Sequence, residues 1–236
     1  MRSKAKSRLI GTLASSILII LIALIAAPTY AGTPSQPHNA DAIWVEPNTV
    51  TLGTSDIGKT FNVTVSMNMT EPIFSYQFAL YYNRTVLKCT NAGYTGAGGA
   101  KSNFLEGHTT SSSPPVIDTA TTGNGSVLVF ETLLGSDSSS ANHTGTLTWL
   151  EFQVLSVTVP TGGNLTCIFD IARDNKDGGN TWWTDVNANF YTFKNAYNGK
   201  AVITPEFSAL LILPILMGST IAAVILSKKL PRKNLK

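Results

Sequence analysis

Two apolar runs, residues 9–27 and 208–226, bracket a polar middle and constrain this 236-residue chain more than any motif inside it. The first follows Arg2, Lys4, Lys6 and Arg8 and leads to Thr29 and Ala31, small residues at the positions a signal peptidase reads. That pattern predicts an export signal over residues 1–31, cut between Ala31 and Gly32. The second run carries no charge, and as a helix it is long enough to cross ~30 Å of hydrocarbon at about 1.5 Å per residue. Lys228, Lys229, Arg232, Lys233 and Lys236 follow it. Basic residues on that side hold the tail in the cytoplasm. The expected layout is therefore a flexible lead over 32–41, an exported domain over 42–203, a transmembrane helix over 208–226 and a cytoplasmic tail over 227–236. The domain then sits on the extracellular face of the cell membrane.

The charge distribution supports this layout. The four basic residues of the signal and the five of the tail leave eight of 17 between residues 32 and 207, against all 14 acidic ones. The exported segment thus has a net charge of −6, although the whole chain is at +3. Nucleic-acid binding, which needs a clustered basic surface, is excluded as a function class.

Inside the middle segment the residues alternate with period two or form short apolar runs bounded by Gly, Pro, Asn and Ser, which reads as β-structure. Strands are predicted near 42–46, 49–52, 60–67, 73–82, 86–92, 126–133, 145–157, 164–171, 189–194 and 199–203. Phe61, Val63, Val65 and Met67 share one face of their strand, with Asn62, Thr64 and Ser66 toward solvent. Phe74, Tyr76, Phe78, Leu80 and Tyr82 likewise point to a core. Ser75, Gln77, Ala79 and Tyr81 then form a weakly polar outer face. The stretches 94–114 and 134–144, rich in Gly, Ser and Thr, read as long loops, and no amphipathic helix is visible between the terminal segments. The fold class is all-β, an antiparallel β-sandwich.

Six Asn-x-Ser/Thr sequons, at Asn62, Asn68, Asn83, Asn124, Asn142 and Asn164, mark glycosylation sites on an exported surface. Cys89 and Cys167 are the two cysteines. Outside the cell such a pair reads as a disulfide, and their shared inward parity lets them meet in the core. A closed loop of that length confers about 4–5 kcal/mol by chain entropy.

Residues able to carry catalysis are sparse. His38, His108 and His143 lie in polar loop sequence with no metal-ligand spacing and no acid–base partner. Glu131 and Glu151, on predicted strands, could be drawn as a glycosidase pair but read more simply as solvent-facing or edge-strand glutamates. The sequence is read as a non-enzyme. Asp170, Asp174 and Asp177 concentrate oxygen donors in one stretch, which is either a solvated acidic turn or a calcium loop. Lys176 breaks the EF-hand spacing, and calcium is the one cofactor the sequence offers a place for. Trp182 and Trp183 follow, and one of them must face outward on a strand, where it could stack on a sugar ring or a partner protein.

Several stretches, in order, resemble the cohesin domain, the jelly-roll module of cellulosome scaffolds. The run Phe74-Ser75-Tyr76-Gln77-Phe78-Ala79-Leu80-Tyr81-Tyr82-Asn83-Arg84-Thr85-Val86-Leu87 looks like that family's apolar strand. Val127-Leu128-Val129-Phe130 resembles its central buried strand, and Gly145-Thr146-Leu147 into Phe152-Gln153-Val154 its long Gly-started strand. Phe169-Asp170 through Asn198-Gly199-Lys200-Ala201-Val202-Ile203 resembles its closing segment. The resemblance spans roughly residues 42–203 and implies jelly-roll topology and a dockerin-type protein partner, with a link to polysaccharide breakdown. The family's Asn-x-Asp contact pair falls on Ser75 and Gln77, which lack its charge. With Tyr81 they make the partner-binding candidates. A structural or adhesive surface glycoprotein and a direct carbohydrate binder, through Trp182 and Trp183, are the competing expectations. Thr204-Pro205-Glu206-Phe207, directly before the apolar run, resembles an archaeal PEF-type sorting signal, which implies cleavage and re-anchoring by an archaeosortase-like enzyme.

Overall fold

The computed structural model describes residues 41–96, 99, 101–117, 124–139, 141–155, 158–159, 163–172 and 181–205. The signal segment, the lead up to residue 40, Asp174, Asp177, Glu206, Phe207, the 208–226 run and the basic tail lie outside the described residues. Among the described residues no helix is long and apolar enough to cross a membrane.

These residues form strands joined by turns, with one 3-10 turn at Thr54–Asp56. In chain order the strands are β1 (Ala42–Glu46), β2 (Thr49–Gly53), β3 (Thr60–Met69), β4 (Ser75–Tyr82), β5 (Leu87–Tyr94), β6 (Thr110–Ser112) and β7 (Val116–Ile117). They continue with β8 (Gly125–Leu133), β9 (His143–Val154), β10 (Leu165–Ile171), β11 (Trp182–Thr184), β12 (Phe190–Tyr191), β13 (Asn195–Tyr197) and β14 (Gly199–Thr204). One sheet has the order β13-β1-β3-β9-β5. The other runs β12-β11-β4-β10-β14-β2, with β8 also paired to β4 and carrying β6 and β7 on its far side.

Alternation drives the packing of the two sheets. Val63, Val65 and Met67 of β3 and Tyr76, Phe78 and Leu80 of β4 are almost wholly buried in one core. Each such side chain contributes about 1.5–3 kcal/mol by leaving water. Phe152 of β9 holds the sheets together, with ring centroids 4.9 Å from Phe169 on β10 and 5.0 Å from Tyr82 on β4. Phe61 stacks on the same ring at 6.0 Å.

Three local expectations change. Ser66, expected to face solvent, is buried: its register partner on β1 is Trp44, an outer-face indole that is itself nearly covered. The 94–114 stretch is a packed connection rather than an open loop, because Phe104 and Leu105 enter the core and β6 pairs with β8. Of the strand expected over 189–194 only β12 forms; β13 begins beyond it at Asn195, and the two join different sheets.

The strand directions define two ends of the domain. β10 runs antiparallel to both β4 and β14, with Asp170 opposite Tyr81 and Leu165 opposite Ile203. Thr204 and Asn164 therefore share one end, and Ser75 and the β11–β12 hairpin lie toward the other. They are about a dozen residue levels apart, roughly 40 Å at ~3.3 Å per residue.

Candidate binding face

The outer face of β4 is built from three strands in register. Gln77 lies between Phe130 of β8 and Trp182 of β11. The Phe130 and Trp182 rings are 6.0 Å apart, and Trp182 meets Phe190 of β12 edge-on at 5.0 Å. One pair level along, Ala79 is opposite Leu128, which in turn pairs with Val116 of β7. Phe190 is 69% exposed, Val116 59% and Leu128 38%. The result is an apolar row across four strands, with Gln77 at its centre. Tyr81, half-buried, closes it between Ser126 and Asp170. Between Ser75 and Tyr82 no sequon interrupts β4.

Ser75 lies on this face by parity but is 6% exposed, and its hydroxyl is 2.6 Å from Thr184 Oγ1. It is engaged inside the domain, because β11 packs its buried hydroxyl directly alongside. Of the three partner-binding candidates, Gln77 and Tyr81 remain half-exposed. The residues that sequence reasoning missed are Leu128, Phe130, Phe190 and Val116. Their signal was present for β8: Val127-Leu128-Val129-Phe130 is apolar at every position, so one parity had to face away from the core.

The tryptophan pair splits as alternation requires. Trp182 is half-exposed on the outer face, whereas Trp183 is 7% exposed and stacks on Tyr191 with centroids 4.4 Å apart. Asp170 is exposed and accepts a hydrogen bond from Asn198 Nδ2 at 2.5 Å. Its proposed calcium partners Asp174 and Asp177 lie outside the described residues, and among those described no cluster of three metal-ligating side chains occurs.

The expected disulfide is corrected. Cys89 and Cys167 are both buried, as their parity implied, but they are free thiols on different sheets. Each sulfur turns to a separate carbonyl: Cys89 Sγ donates to Asn91 O at 3.4 Å, and Cys167 Sγ approaches Asn83 O at 3.9 Å. Burial pushes the Cys89 thiol up to about 12, so it stays protonated and unreactive.

The glutamates drawn as a catalytic pair are both occupied. Glu131 is not solvent-facing: it is wholly buried on β8, where Tyr76 Oη donates to Oε2 at 2.7 Å and Ser102 N–H to both oxygens at 3.1 Å. Burial, with Glu131 alongside, holds the Tyr76 hydroxyl well above the usual phenol range. Glu151 accepts the Thr90 hydroxyl at 2.6 Å. Five sequon asparagines, Asn62, Asn83, Asn124, Asn142 and Asn164, are exposed or nearly so, and Asn68 is half-buried.

The described residues thus form a β-sandwich with an exposed apolar row across one sheet. No protein-family model matches the chain, and no curated protein matches it. Solved structures similar to it are cohesin domains. One is the CaCohA2 cohesin of Clostridium acetobutylicum, crystallised in complex with a variant of the dockerin CaDoc0917: 15% identity, 69% of this chain and 99% of that one covered, TM-score 0.47. A type I cohesin–dockerin complex from Clostridium thermocellum, Coh-OlpC with Doc435, gives 10% identity over 73% and 100% of the two chains, TM-score 0.46. A non-cellulosomal cohesin from the archaeon Archaeoglobus fulgidus gives 16% identity over 69% and 90%, TM-score 0.43.

Proposed function

We propose that this chain is a non-catalytic, cohesin-like binding module with jelly-roll connectivity that captures a dockerin-type protein partner on the outer face of β4. The observation that carries the reading is the row Phe190–Trp182–Phe130 around Gln77. Exposed aromatics with little charge are what the centre of a protein interface favours, because desolvating them costs little. The ordered sequence resemblance over residues 42–203 supplies the partner class. The signal pattern, the 208–226 run and the PEF-like Thr204-Pro205-Glu206-Phe207 support export and attachment at the outer membrane face, with or without cleavage by a sorting enzyme. A role in polysaccharide breakdown rests on the partner class alone.

The test is capture by the immobilised full-length chain of dockerin-bearing proteins from its own cells, identified by mass spectrometry. Phe130→Ala, and Gln77→Lys with Tyr81→Lys, should each reduce capture at least about tenfold while leaving the melting curve nearly unchanged. Good folding with no dockerin-bearing protein retained favours a structural surface glycoprotein, the reading that the exposed sequons support.

A further inference from the structure

A recess lies at the end of the domain remote from Thr204, between the β11–β12 hairpin, the β3–β4 connection and the segment after β8. It encloses about 760 Å³ and is lined by, among others, Glu71, Ser138, Trp183, Phe190, Tyr191 and Lys194. The volume falls within the ordinary range for small-ligand sites.

Its aromatic wall is held in place. Asp185 accepts hydrogen bonds from the Asn187 N–H (2.9 Å), the Asn189 N–H (3.0 Å), Asn189 Nδ2 (2.9 Å) and Tyr191 Oη (3.2 Å). Those donors, the Asn189 side chain foremost, keep the Asp185 carboxyl below its usual value. The hairpin is thereby locked, with Tyr191 flat on Trp183 and still 41% exposed. Trp183 Nε1 is buried in the same wall and has no hydrogen-bond partner among the described residues.

The opposite wall is polar and carries little free charge. Lys194 Nζ is paired with Asp41, whose carboxylate also accepts the Thr70 N–H at 3.0 Å. Asp185 is saturated by the hairpin, which leaves Glu71 as the carboxylate on the recess that no hydrogen bond among the described residues engages. Ser138 and Thr192 add hydroxyls.

We propose that this recess binds a neutral sugar ring of an oligosaccharide. A pyranose has an apolar C–H face that stacks on an exposed aromatic ring and a hydroxyl rim that exchanges hydrogen bonds with a carboxylate and hydroxyls. Three carboxylates against one ammonium, already paired, disfavour an acidic sugar or a phosphate. Phe190 borders both this recess and the β4 row, but Tyr191 and Glu71 lie off the β4 face, so substitutions there test the recess without touching Gln77, Phe130 or Tyr81.

The experiment titrates the full-length chain with cellohexaose, mannohexaose and xylohexaose, with hexagalacturonate as the acidic comparison, read by calorimetry and tryptophan fluorescence. At least one neutral hexasaccharide should bind in the millimolar range or tighter. Tyr191→Ala and Glu71→Gln should each weaken it about tenfold or more, and Phe130→Ala should leave it unchanged. Glu71 is exposed, so its variant keeps the fold and the result interpretable. Absence of binding by every neutral hexasaccharide would overturn the proposal. So would equal binding of hexagalacturonate, or binding that survives both substitutions.

Discussion

Glu131 shows how much one side chain can organise. It sits in the middle of β8 with no exposure, yet it reaches two elements at once, receiving the Tyr76 hydroxyl from β4 and the Ser102 N–H from the connection after β5. A carboxyl group in a core is tolerated because each oxygen has a donor. Glu131→Ala orphans two buried donors, at roughly 1–3 kcal/mol each. The expected loss is about 2–5 kcal/mol in urea unfolding, whereas Tyr76→Phe removes one bond and costs closer to ~1 kcal/mol. A Glu131→Ala variant as stable as the parent would show that neither donor depends on the carboxyl group.

Among the elements, the long strands are legible in the sequence and the short ones are not. β3, β4 and β9 announce themselves because alternation along eight or more residues leaves one face mainly apolar, and β8 because Val127–Phe130 is a short continuous apolar run. β7, β11 and β13 are two or three residues long, too short for any period to show, and they exist because neighbouring strands offer them unpaired edges. The same limit hides half of the binding face. Gln77 and Tyr81 follow from the parity of β4, but their apolar neighbours lie on β8, β7 and β12, and adjacency between strands is a tertiary property. The free thiols have the same origin, since inward parity places two sulfurs in one core without placing them against each other. The connection after β5 looks open in the sequence because its Gly and Ser content masks Phe104 and Leu105. Its close fit is testable at Gly145, where an added Cβ would lie 2.7 Å from Phe104 Cα and 3.1 Å from Phe104 N. Gly145→Ala should cost about 1–3 kcal/mol and raise amide exchange across 102–105 more than in β3 or β4.

At the scale of the whole molecule, the domain carries an acid-sensitive clasp where the chain enters it. Burial pushes the Asp41 carboxyl up, but hydrogen bonds from Lys194 and Thr70 outweigh it and hold the group below its ordinary 3.8. A depressed folded value means that the stabilisation is present above 3.8 and is lost as pH falls through the folded value. Lys194 is raised above 10.5 by its hydrogen bond to Asp41, so its share persists below that value and fades only as pH climbs past it. The Asp41→Asn variant should therefore unfold at lower urea than the parent near neutrality, and the gap should close on acidification below 3.8. Equal midpoints at neutral pH would remove the clasp from the account. Asparagine suits the position, because residue 41 has φ +57°, a region Asn tolerates.

The placement of β14 has a mechanical consequence. It lies between β10 and β2, antiparallel to one and parallel to the other, and its axis points to the end where Thr204 leaves the sheet. Tension drawn from that end runs along the strand, so both ladders are loaded in shear and their hydrogen bonds must fail together. A strand pulled sideways would unzip one bond at a time. With the recess and the aromatic hairpin about 40 Å away along the strands, a load taken up at one end passes lengthwise through the sheet to the other. Pulled along this axis, β14 resists more than it would if peeled from the sheet edge.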